Sequence, residues 1–379
     1  MNVRIPASTG RRFEPQHRGS HKQLLFWDVS RAGDEKQLDA IIVPTARRHP
    51  HLANALELAA ELDVPVLLLC SKWARADPSI GKANQLGARA IAADIPGAID
   101  GMPTFGTSDV LAGRFARRTD VSLKRNVGLA VASMMGWQRI MFLDDDIKVE
   151  DPDHIRQAAA LLGKYGAVGL ANNGFPDNSV VCHANRAAGY QQDSFIGGGA
   201  MAVLATRADA FFPNIYNEDW FFLLDEEEIC KVVATGYMWQ KDFDPFADPE
   251  RARAEEFGDC LAEGIYAILD QGGHVDDADG RFWREFLGSR RELINRSLAV
   301  SLGEANRANP EHRRMSESLK AARGRLEHIT PQLCVDYIEA WRRDRKAWRL
   351  YLKRLPSVAT PINALQKLGL RPRSSATVR

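Results

Sequence analysis

From Asp39 onward the chain alternates short apolar runs with segments of helical spacing. Ile41-Ile42-Val43 predicts a β-branched strand, Leu52 to Leu62 a helix through Leu52, Leu56, Ala59 and Ala60, and Pro65 to Cys70 a second buried strand. A helical stretch from about Asn84 leads to a third short strand, Ala90 to Ala93. Strand and helix alternating at this spacing predict parallel crossover units, so the fold class is α/β. After a Gly/Pro/Thr-rich loop from Pro96 to Ser108, Ser122 to Met135 predicts a helix. Gly136-Trp137 breaks it, and the run from Arg139 to Leu143 predicts a buried strand. His154 to Leu162 follows as an amphipathic helix and Ala167 to Leu170 as a strand. The Gly/Asn-rich stretch from Ala171 to Asp193 predicts a mobile loop. Phe195 to Val203 couples the glycines 197–199 to a strand, and Phe211 to Leu224 contains an apolar helix opening at Asn217-Glu218-Asp219-Trp220.

Beyond Asp248 strands give way to long helical patterns, Glu250 to Leu269, Phe282 to Leu298 and Pro331 to Leu355. The pattern divides the chain into an Arg-containing flexible extension (1–36), a sheet domain (37–248), a helical C-terminal region (249–355) and a Ser/Thr/Pro/Arg-containing disordered tail (356–379).

Bulk composition narrows the function classes. In 379 residues, 50 Lys and Arg face 49 Asp and Glu, a formal net charge of +1, which gives no general argument for a nucleic-acid partner. Five widely spaced cysteines without a CxxC pair read as reduced, mostly buried thiols of a cytoplasmic protein. No apolar run approaches the ~20 residues needed to span a bilayer. The basic, aromatic helix from Trp341 to Arg354 fits either a packed terminal helix with a solvated face or peripheral contact with an anionic membrane surface.

The sharpest chemical feature is Asp144-Asp145-Asp146, delivered by the apolar strand to its carboxyl end, where open α/β sheets bind ligands. Three adjacent carboxylates repel one another unless a divalent cation or ligand hydroxyls offset the cost. The bland alternative is an acidic turn facing water. Period-two alternation sends Asp144 and Asp146 to one side and Asp145 to the other.

The order of Ile41 to Arg47, then Lys124 to Leu129, then Phe142 to Asp146, then Gly197-Gly198-Gly199, then Glu218-Asp219 resembles nucleotide-sugar glycosyltransferases of the GT-A fold, especially family 2. The match covers about Asp39 to Asp244 and makes 37–248 the catalytic domain. The resemblance implies a Rossmann-like mixed sheet flanked by helices and a nucleoside-diphosphate-sugar donor, UDP or GDP. It also implies an acceptor hydroxyl and Mn2+ or Mg2+. On that reading Pro44, Thr45 and Arg47 line the nucleotide pocket, and Lys124, Arg125 and Asn126 open a helix beside the diphosphate. Asp146 is the direct metal ligand, with Asp144 a second ligand or near the ribose and sugar hydroxyls, and Asp145 touches the donor sugar. Gly198 and Gly199 permit close backbone approach. Asp219 is the general base of an inverting transfer, with Glu218 as its neighbour.

One departure stands out. Many metal-dependent members carry a histidine late in the domain, whereas Gly236 to Pro245 has none, leaving Gln240, Asp242, Asp244, the distant His274 or the loop residue His183 as substitutes. Two other functions remain open: a nucleotidyltransferase, disfavoured because Pro44 to Pro50 contains no glycine, and a catalytically silent binding scaffold, disfavoured by the intact Asp144, Asp146 and Asp219.

Overall fold

The computed structural model describes residues 13–28, 37–176, 178–207, 209–306 and 308–376. Ten strands form in chain order: β1 (Phe26–Trp27), β2 (Ala40–Thr45), β3 (Val66–Cys70), β4 (Ala90–Asp94), β5 (Arg139–Leu143), β6 (Ile147–Lys148), β7 (Ala167–Asn172), β8 (Ala200–Leu204), β9 (Val232–Gln240) and β10 (Arg373–Ser374). They join in the order β1-β9-β7-β8-β5-β2-β3-β4-β10, with β6 paired to β9 alone. Strands β2 to β5 run parallel, while β8 lies antiparallel between β5 and β7. The expected mixed sheet flanked by helices, with a helical C-terminal part, is what the chain forms.

Helices α1 (Ala53–Leu62), α2 (Ala76–Gln85), α3 (Gly106–Val110), α4 (Val121–Met135), α5 (Asp153–Leu161), α6 (Val180–Ala187) and α7 (Glu218–Leu223) belong to the crossovers and loops. The C-terminal helices are α8 (Pro249–Leu269), α9 (Gly280–Leu302), α10 (Pro310–Leu326), α11 (Pro331–Arg354) and α12 (Pro361–Lys367). Their ends follow local chemistry. Gly136, at φ 68°, closes α4, and Asp248 accepts from the Glu250 amide ahead of Pro249 to open α8.

Both faces of the central strands are buried, which is why they read as unbroken apolar runs. Ile42, Leu67 and Phe142 point to one core, shared with α4 and the C-terminal helices; Ile41, Leu68 and Met141 point to the other, beneath α1, α2 and α5. The first core continues from the sheet into α8 to α12, so the division at residue 248 is a change in composition and not a gap in the packing.

Three expectations need correction. The tail from Pro356 is ordered through Ala376: Thr360 caps α12, Leu365, Leu368 and Leu370 enter the core, and β10 pairs antiparallel with β4. Within the supposed flexible extension, residues 13–28 are docked, with β1 added parallel to β9; residues 1–12 and 29–36 lie outside the described residues. The predicted mobile loop holds the buried helix α6, capped by Ser179. In α11, Trp341, Trp348 and Leu352 face the core and Arg345 donates to the Leu224 carbonyl, as in the packed terminal helix that was one of the two readings. All five cysteines are buried and unpaired, and no helix among the described residues is long and apolar enough to cross a membrane.

The docked segment carries a pH-sensitive contact. His21 is buried between Asp270 and Glu263, its Nε2 lying 3.0 Å from the latter. Burial opposes its charge, but the two carboxylates win and raise its pKa to about 9. A raised histidine contributes stability fully present below about pH 6.5 and lost as the pH climbs through about 9. Denaturant titrations should therefore show the protein losing up to about 3 kcal/mol across that window. In His21→Gln the loss should vanish, and an identical decline in the variant contradicts the assignment.

Candidate active site

At the carboxyl end of β5 the backbone turns at once, the Ile147 amide donating to the Asp144 carbonyl at 3.2 Å. The three acids therefore lie on a turn, and strand alternation does not apply to them. Asp144 faces α4, where Arg125 Nη2 donates to both its carboxylate oxygens at 3.0 Å. Asp145 and Asp146 share a different cation: Arg47 donates to them at 2.8 and 3.0 Å, and the Thr45 hydroxyl donates to Asp145 at 2.6 Å. The turn after β2 and the turn after β5 are thus locked together. Burial pushes the Asp144 carboxyl up to about 7 against the pull of Arg125, with Asp146 and Asp145 adding to the rise.

The first turn of α4 supplies the site's interior. Lys124, Arg125 and Asn126 are buried. Lys124 Nζ donates to the Thr45 carbonyl at 2.8 Å and pairs with Asp120 at 3.1 Å, fixing the end of β2. Asn126 turns away, exchanging two hydrogen bonds with the backbone of Phe212. Arg125 is the hub: its Nη1 donates to Glu218 at 3.0 Å while its other nitrogen holds Asp144.

Gly198 explains part of the glycine cluster. A Cβ there would overlap the Arg125 guanidinium, and the Gly198 amide donates to Asp219 at 2.6 Å. Gly199 contributes its carbonyl to the Asp144 amide at 2.8 Å. At the start of α7, Asn217 adopts φ 60°, and Glu218 is drawn to Arg125 and, at 3.5 Å, to Arg117. Asp219 accepts from the Gly198 and Trp220 amides, which orient its carboxylate beside the same cluster. One connected set of contacts thus brings together Thr45, Arg47, Lys124, Arg125, Asp144, Asp145, Asp146, Gly198, Gly199, Glu218 and Asp219, while Pro44 stays inside β2.

The substitutes for the missing histidine fare unequally. Gln240 pairs with Ile147 in the β6–β9 ladder, and the Lys241 amide donates to the Asp146 carbonyl at 3.3 Å, which puts Gln240 to Asp242 beside the acidic turn. Asp244 instead pairs with Arg314 at 3.0 Å. His274 opens an exposed 3-10 turn with its amide on Asp277, and His183 stacks on Phe175 at 5.0 Å, its pKa lowered to about 4 by burial.

Trp73 escaped the sequence reading. It is 74% exposed, follows the left-handed Lys72 (φ 54°) at the end of β3, and its amide donates to the Ala46 carbonyl at 3.1 Å. A tryptophan three residues beyond the end of an apolar strand was the available signal.

The turn has the donor chemistry for a hard divalent cation. It offers carboxylate oxygens, and between Asp145 and Asp146 sits the guanidinium of Arg47, whose side chain is 45% exposed. Among the described residues, one group of three His, Cys, Asp or Glu ligand atoms within 4.8 Å of each other lies elsewhere: His17, Cys182 and Glu263, in the buried network around Arg290.

No family model and no curated protein matches the chain. Among solved structures, it is similar to the mannosyltransferase PcManGT from Pyrobaculum calidifontis in complex with GDP-Man and Mn2+, with 13% identity, 88% of this chain and 91% of that one covered, and a TM-score of 0.45. A mycobacterial protein gives 14% identity, 60% and 74% coverage, and a TM-score of 0.38. Likenesses this distant carry no functional argument.

Proposed function

We propose that the protein is a metal-dependent glycosyltransferase that moves a sugar from a nucleoside diphosphate, UDP or GDP, to an acceptor hydroxyl with inversion. The observation that carries this reading is the linkage of the acidic turn to Asp219 through Arg125, Glu218 and Gly198, at the carboxyl ends of parallel strands. Asp146, with Asp144 or Asp145, would hold Mn2+ or Mg2+, whose chemistry is to neutralise the departing diphosphate. Arg47, released from the acids, is placed to pair with a phosphate. Asp219 takes the proton of the acceptor hydroxyl as that oxygen bonds to the anomeric carbon and the bond to the phosphate oxygen breaks. The amides of Gly198 and Trp220 hold the carboxylate for this task. Gln240 and Asp242 are the candidates to complete the metal's oxygen ligands.

Trp73 stands where a base can stack, beside Ala46. Base stacking on an aromatic side chain contributes about 1–3 kcal/mol, so Trp73→Ala should weaken donor binding by about five- to a hundredfold in calorimetry. Unchanged affinity would remove Trp73 from the pocket.

The class is tested with a panel of UDP-, GDP- and dTDP-sugars in the presence of Mn2+. Metal-dependent sugar transfer or donor hydrolysis is the expected result. Nucleoside triphosphate turnover with release of pyrophosphate would replace this reading by a nucleotidyltransferase, and donor binding without turnover by a silent scaffold.

A further inference from the structure

A cleft of about 900 Å3 opens between the loop preceding α4 and the helices α8 and α10. Seven of its lining residues are Lys or Arg and two are Asp or Glu, in a chain whose net charge is +1. The two acids are already engaged: Asp248 caps α8, and Glu250 pairs with Arg253 at 3.0 Å. Arg325 lies over the Phe115 ring at 4.9 Å, its Nε donating to the Arg253 carbonyl at 3.2 Å. Partial burial and the like charges of Arg253 and Arg114 hold its pKa below the ordinary value, with Glu250 offsetting only part of the positive potential. Phe115 and Phe257, with ring centroids 5.1 Å apart, give the same cleft an apolar wall.

The cleft adjoins the candidate active site through Arg117, which lines it and whose Nη1 lies 3.5 Å from Glu218, the neighbour of Asp219. Arg253 and Arg325 project from α8 and α10, whereas the phosphates of a donor are accounted for by the turn after β2 and the acidic turn. A second anion is therefore the natural occupant.

We propose that this cleft binds a phosphate-bearing acceptor, its phosphate on Arg325, Arg253 and Arg114 and its organic part against Phe115 and Phe257, leading along Arg117 toward Asp219. The role as acceptor rests on the transferase reading; the anion site does not. Guanidinium groups match phosphate oxygens in a forked geometry, and the aromatic wall favours an organic phosphate over the inorganic ion. The same chemistry is offered by a soluble phosphate ester or by a lipid headgroup.

The test titrates the full chain, without metal, with glycerol phosphate by calorimetry and with phosphatidylglycerol vesicles by co-sedimentation. Binding of the soluble ester assigns a free acceptor, binding of vesicles alone a lipid-borne one, and either supports the site. In both cases Arg253→Ala/Arg325→Ala should weaken binding at least tenfold. Should the double variant fail to fold, the exposed Arg114→Gln on the opposite wall should weaken binding severalfold. Binding of neither probe, or parental affinity in a folded Arg253/Arg325 variant, overturns the proposal. Sugar-nucleotide binding with Mn2+ is measured on the same samples: its absence beside intact phosphate binding sinks the transferase reading alone, and the reverse pattern sinks the cleft alone.

Discussion

Asp219→Ala should lower sugar transfer by about 10²–10⁴-fold, the usual contribution of a positioned general base, while donor affinity stays near that of the parent. The separation follows from geometry. Asp219 is held by the amides of Gly198 and Trp220, with Glu218 and Arg125 standing between it and the acidic turn. Its removal leaves Arg47, Asp145 and Asp146 in place. Glu218, whose two oxygens face Arg125 and Arg117, is poorly placed to substitute. The measurement is steady-state transfer beside calorimetric donor binding. Equal losses in both would make Asp219 part of the donor pocket, and undiminished transfer would end its assignment as the base.

The second large effect is on the fold of the site itself. Arg125 is buried, lies over the Phe212 ring at 5.4 Å and neutralises both Asp144 and Glu218. Arg125→Ala leaves Asp144 without its cation and Glu218 with Arg117 alone at 3.5 Å, a loss of about 3–5 kcal/mol where an ion pair is broken inside a protein. Chemical denaturation should show that drop, with donor binding lost as well. Arg125→Lys should recover part of the stability, since it keeps the charge but cannot hold both acids in a fork. Gly198→Ala should mimic the defect with the arginine intact, because the new methyl occupies guanidinium space. Parental stability in Arg125→Ala would show that the hub is dispensable.

Much of this was legible in the chain, and the losses have physical causes. Runs such as Ile41 to Val43 and Ile140 to Leu143 are buried on both faces, and burial of that kind leaves an unmistakable apolar signature. The acidic turn was visible because carboxylates at the carboxyl end of a strand are chemically conspicuous, and Glu218-Asp219 because paired acids open an apolar helix. Their partners were less so. That Asp144 belongs to Arg125, and Asp145 with Asp146 to Arg47, depends on a turn one residue beyond β5, and side-chain period gives the wrong answer as soon as the strand ends. Helix α6 was hidden by its Asn- and Gly-rich flanks, and α10 by a polar sequence in which Met315, Leu319, Ala321, Ala322 and Leu326 are the apolar residues of the buried stripe. The tail was misread on composition, although Thr360-Pro361 is a helix start and Leu365, Leu368 and Leu370 supply the anchor. Contacts between distant segments, such as the docking of His21 on Glu263 and Asp270, leave no local trace at all.

On the proposed function, a divalent cation seated on the acidic turn would hold the diphosphate of an activated sugar. Calorimetric titration of UDP- and GDP-sugars, with and without Mn2+, into the parent chain and into Asp146→Ala tests it most directly. Donor binding that requires Mn2+ in the parent and disappears in the variant is the predicted result; the same metal-dependent affinity in both proteins would contradict it.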